Sequence, residues 1–134
     1  MNILKIYDYL YYRTYKVYLT KWKESMPWLY ALGLVSIIQV FNLSILYFTY
    51  AFISKSYKID AKFGLILTIG IIVINYIRYN SSRYNFNSLS EEWAKEGYQK
   101  EKSRGKIVIV FIGVSFLVCL GMAILLGEIN QGRL

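Results

Sequence analysis

The sequence predicts an all-α integral membrane protein: an N-terminal interfacial amphipathic helix, three transmembrane helices, and a short cytoplasmic helix between the second and third. Three observations carry this prediction. Residues 28–53, 63–77 and 107–127 contain no charged side chain. The 134-residue chain is 56% hydrophobic with a mean hydropathy of +0.34, which moves it from the soluble class towards the membrane class. The charges gather between the apolar runs, where basic residues set topology and favour anionic headgroups.

Residues 1–26 are expected to form a helix along the membrane surface. At about 100° per residue, Ile3, Tyr7, Leu10, Tyr11, Thr14, Tyr18 and Trp22 fall on one side, and Lys5, Arg13, Lys16, Thr20 and Lys23 on the other. An aromatic-apolar face opposite a basic one is the pattern of an interfacial helix. The alternative is a helix packed on a partner's soluble domain. Ser25 or Met26 then marks the corner, because Pro27 loses no needed hydrogen bond in a first helical turn.

The first transmembrane helix is residues 27–53. At about 1.5 Å per residue it reaches further than the roughly 30 Å hydrocarbon core, and only a helix satisfies its backbone at that depth. The run is longer than a signal-peptide core and is expected to remain uncleaved. Residues 54–62 make a short external loop. Residues 63–78 make the second span, short enough that Lys62 and Arg78 extend it by snorkelling; a re-entrant segment is the alternative. Residues 79–106 form the polar connection, where Ser88 and Glu91 have capping-box spacing and Glu91–Lys95 and Glu96–Lys100 make (i, i+4) pairs on a short charged helix. Residues 107–127 cross again, and residues 128–134 form an external tail.

Twelve Lys and Arg precede the first span or lie between the second and third, against four on the opposite side. The positive-inside rule therefore puts the N-terminus and long connection in the cytoplasm and the C-terminus outside. A net charge of +8 would suggest nucleic acid in a soluble protein. Here the charges flank spans, and no nucleic-acid partner is expected. The partners expected are the bilayer with its anionic headgroups, and another membrane protein or a second copy of the chain.

Little in the sequence points to chemistry. Histidine is absent, which removes His-activated nucleophiles and His-ligated zinc. Cys119 stands alone in an apolar run, as a soft buried hydrophobe. The carboxylates Glu91, Glu92, Glu96 and Glu101 interleave with lysines as on a solvated helix face. No cofactor or metal is expected.

Polar and small residues within the spans are the candidate site. Ser36, Gln39 and Asn42 form a slanting stripe on the first span; Gly64, Thr68 and Asn75 share a face of the second; Ser115, Cys119 and Ala123 make a small-residue face on the third. Such faces let helices approach, and amides hydrogen-bond across them. Gln39, Asn42 and Asn75 are expected to meet inside the bundle or at a partner's helix. Tyr7, Tyr11, Tyr18, Trp22, Trp28 and Trp93 are the expected membrane-interface residues.

The composition, short and rich in Tyr, Asn, Ile and Lys, is similar to that of many small bacterial membrane proteins, which suggests the bacterial inner membrane and implies no activity. The function expected is a non-enzymatic accessory, scaffold or assembly subunit. The alternative is an oligomerising pore former, holin-like or small toxin-like, with the polar stripes lining water. A membrane enzyme or transporter is disfavoured, since transported ions and protons usually mark their route with ionisable groups at depth.

Overall fold

The described residues form five helices: α1 (Ile3–Thr20), α2 (Pro27–Ser54), α3 (Ala61–Asn80), α4 (Phe86–Trp93) and α5 (Tyr98–Asn130). This computed structural model describes residues 2–56, 58 and 60–133, so Met1, Tyr57, Ile59 and Leu134, which fall in the expected first helix, external loop and tail, lie outside the described residues. No strand occurs among the described residues. Three helices, α2, α3 and α5, are long and apolar enough to cross a membrane.

The helix ends follow local chemistry. Asn2 caps α1 by accepting from the Lys5 N–H at 2.9 Å. Pro27 opens α2, which stops where Lys55 takes the left-handed conformation (φ 55°). Asp60 caps α3 through the Lys62 N–H at 2.9 Å.

The connection between α3 and α5 differs from its expected layout. Asn85, not Ser88, is the N-cap of α4, accepting from the Ser88 N–H at 2.9 Å. The charged segment breaks after Trp93, and Gly97 caps a 33-residue α5 that runs without interruption from Tyr98 to Asn130. Gly97 has the poorest helix propensity apart from proline, so the break falls there. Glu91 lies on α4 while Lys95 and Glu96 lie in the break, so the expected (i, i+4) pairs do not share a helix.

α2 is the axis of the molecule, packing against α1, α3 and α5, while α4 packs on α1. No comparable packing joins α3 to α5 among the described residues. α1 folds back antiparallel to α2: Tyr18 stacks on Tyr30 at 4.4 Å, and Tyr7 reaches Asn42. The core sits around α1. Six successive residues, Tyr7 to Tyr12, are buried, so the middle of the helix is enclosed on every side rather than along one stripe, while both its ends are exposed. Its aromatic rings pack on Trp93, Phe86, Tyr79 and Phe111 from α4, α3 and α5. An aromatic helix of this kind reads alike in sequence whether lipid or protein covers it, because both are apolar surroundings.

Candidate helix-packing site

Two polar seams join the apolar helices. Asn75 on α3 donates through Nδ2 to Ser36 Oγ at 2.9 Å and to Gln39 Oε1 at 2.7 Å, both on α2. Asn42, one turn further along α2, faces the other way. Its Nδ2 donates to Tyr7 Oη at 2.8 Å, and its Oδ1 accepts from Ser115 Oγ at 2.9 Å. The expected stripe therefore divides: Ser36 and Gln39 face α3, and Asn42 ties α1 and α5 to α2. These bonds hold both amides in fixed positions; Asn75 is only 2% exposed and Asn42 is half-buried. Deep in an apolar layer an amide left unpaired is costly, so each seam fixes which helix turns face one another.

The other expected packing residues are placed less tightly. Gly64 is exposed, and a Cβ built there meets nothing within 4 Å. Thr68 donates back to its own helix, to Gly64 O at 2.8 Å. Cys119 and Ala123 are half-buried on α5. The aromatic set separates. Tyr7, Tyr11 and Trp93, expected at the membrane boundary, are buried against other helices of the chain, at 7%, 4% and 5% exposure. Tyr18 is half-buried between Trp22 and Tyr30. Trp22 and Trp28 are exposed, and Trp28 meets Tyr76 edge-on at 6.3 Å.

The most enclosed acid, Asp8, carries no expectation from the sequence, whereas Arg78 is expected to snorkel and Glu96 to pair with Lys100. Asp8 on α1 accepts from Arg78 Nε at 3.1 Å, from Arg78 Nη2 at 2.8 Å and from Tyr79 Oη at 3.1 Å. The guanidinium lies 3.8 Å over the Tyr84 ring. Next along α1, Tyr9 is fully buried and donates to Glu96 Oε1 at 2.7 Å, while Arg104 Nη1 donates to Glu96 Oε2 at 2.7 Å. Arg13 Nη1 then donates to Glu101 Oε1 at 2.6 Å. Burial, and next its bond to Glu96, push the Tyr9 phenol well above its usual range; burial does the same to Tyr11. The signal that marks Asp8 is that it is the one acid among five bases in residues 1–23.

The chain matches no protein-family model, and no curated protein or solved structure is significantly similar to it. The geometry alone therefore carries the functional argument. Asp8 and Tyr9 point from one helix turn to α3 and to the α4–α5 junction respectively, so α1 locks the ends of three other helices. Among the described residues no group of three or more His, Cys, Asp or Glu side chains is placed to hold a metal ion. What this arrangement does chemically is hold helices in register.

Proposed function

We propose that this is a small non-enzymatic membrane protein that serves as an accessory, scaffold or assembly subunit of a membrane complex. One observation carries the reading: within their apolar windows only 28% of α2 and 11% each of α3 and α5 are buried inside the chain. The spans thus have almost no private interior, while their register is fixed by hydrogen bonds and a locked end. A frame of this kind presents two fixed apolar faces, α3 and α5, to whatever lies beside it in the bilayer. The pairing of Gln39, Asn42, Asn75, Ser36 and Ser115 with one another supports the scaffold reading over a pore, since those side chains are already used in joining helices.

In this reading α1, α4 and the start of α5 lie in the cytoplasm of a bacterial inner-membrane protein, and the α2–α3 loop and C-terminal tail lie outside. The twelve-to-four distribution of basic residues supports it, as does the packing of α1 on α4, which places the basic segments at one end. The test is affinity purification of the tagged full chain in mild detergent. Recovery with a membrane partner, or as a defined oligomer, is expected. Recovery as a lone monomer at native expression would overturn the proposal.

A further inference from the structure

A cleft of about 210 Å³ opens where α2 begins and α3 ends, lined by Tyr11, Tyr15, Trp28, Asn80, Asn85 and Asn87 with the rings of Tyr79 and Phe86. Its level follows from the chain. Trp28 is the second residue of α2, and Asn80 is the last of α3. The Trp28–Tyr76 contact at 6.3 Å puts those two helix ends on the same side of the apolar layer. This is the depth at which Trp and Tyr meet headgroups.

The polar groups of the cleft are all neutral, since no Lys, Arg, Asp or Glu lines it. Several have free valence. Tyr11 is 4% exposed, and its hydroxyl has no side-chain hydrogen bond to a described residue. Among the described residues no fully enclosed side-chain polar atom lacks a partner, so the Tyr11 oxygen keeps some exposure, and Tyr11 lines the cleft. Asn80 donates Nδ2 to Tyr76 O at 3.0 Å and keeps its Oδ1. Asn85 gives Oδ1 to the Ser88 N–H and keeps its Nδ2. Asn87 is exposed with its amide uncommitted.

Tyr11 and Tyr79 are stacked on each other and buried, so Trp28, Tyr15 and Phe86 are the rings that can meet the C–H faces of a ligand, and the neutral amides and phenols suit its hydroxyls. A phosphate would find no cation to neutralise it. We propose that this cleft binds the uncharged, hydroxylated headgroup of a membrane glycolipid, a hexosyl ring on diacylglycerol. The acyl chains then lie beside α3, where Ile69, Val73 and Tyr76 form an exposed stripe leading to Asn80. The site does not depend on whether the chain also serves as a subunit of a larger complex.

The test uses the full chain in nanodiscs and native mass spectrometry of retained lipid. The probes are hexosyl diacylglycerol, diacylglycerol and phosphatidylglycerol of matched acyl chains, with soluble methyl glucoside as competitor. Hexosyl diacylglycerol is expected to be retained over both other lipids, and methyl glucoside to compete poorly. Tyr11→Phe and Asn87→Ala should each reduce that retention by about five-fold, the value of one neutral hydrogen bond, without moving the thermal midpoint. Equal retention of diacylglycerol, a preference for phosphatidylglycerol, efficient competition by methyl glucoside, or unchanged retention in both variants would each overturn the proposal.

Discussion

Replacing Asp8 by Asn keeps the shape of the side chain and removes the charge that faces Arg78. The carboxylate accepts three bonds, two from the guanidinium and one from Tyr79, and Asp8 is only 5% exposed. In the variant one oxygen becomes an NH2 group aimed at donors, and Arg78 is left without its counter-charge. Breaking a fully buried pair costs about 3–5 kcal/mol. Here the Arg78 side chain is 26% exposed and rests on the Tyr84 ring, so water and the π face recover part of that loss. The expected destabilisation is about 2–3 kcal/mol, which at about 4 °C per kcal/mol lowers the midpoint by about 8–12 °C. Thermal unfolding in detergent, followed by tryptophan fluorescence, reads it through Trp93 against Tyr9. A cycle with Arg78→Met should show the double variant less damaged than the sum of the singles. A change below about 0.5 kcal/mol for Asp8→Asn, or strict additivity in the cycle, refutes the claim that this pair locks α1.

Asn75→Leu removes two bonds between α2 and α3 and strands Gln39; at about 0.6–1.7 kcal/mol per interhelical bond, the loss should be about 1–3 kcal/mol in denaturant-detergent unfolding. Asn42→Leu should loosen α1 and α5 from α2 and raise accessibility of Cys119 to a maleimide, while unchanged labelling would count against the seam. Trp93→Ala opens a cavity beside Tyr9 and Tyr12, and a loss of about 3–5 kcal/mol is expected, with faster proteolysis in the α4–α5 junction. Tyr9 and Tyr11 hold their protons more tightly folded than unfolded, because burial raises both above 10.0. Their contribution to stability should therefore be fully present below pH 10.0 and be lost as pH rises beyond it. Tyrosinate absorbance from these two should appear together with unfolding; smooth titration of the folded protein would contradict their burial.

The spans were legible because an uncharged run of such length has few other fates, and the structure gives three helices there. Their ends were less so. α3 extends to Asn80, past the uncharged run, and Arg78 near its end pairs with Asp8 on α1. Helical periodicity put Ser36, Gln39 and Asn42 on one stripe. It gave no sign that the stripe would divide, because which neighbour lies at which angle is a property of the assembled bundle. The aromatic face of α1 was equally ambiguous, since Tyr7 and Tyr11 suit a lipid boundary and a protein interior alike. The contacts of Asp8 and Glu96 are hidden in the sequence for a related reason: their partners, Arg78 and Tyr9, stand 70 and 87 residues away in the chain.

The enclosure of α1 has a consequence for biosynthesis. Every element that surrounds this helix is translated after it, and its charged contacts wait on residues 70 to 88 positions downstream. During that interval Asp8 and a band of tyrosines have no seat, so a nascent chain must shelter α1 at the bilayer surface or in a chaperone's grip until α3 and α5 are threaded. α1 is thus made before the elements that enclose it and settles only after them.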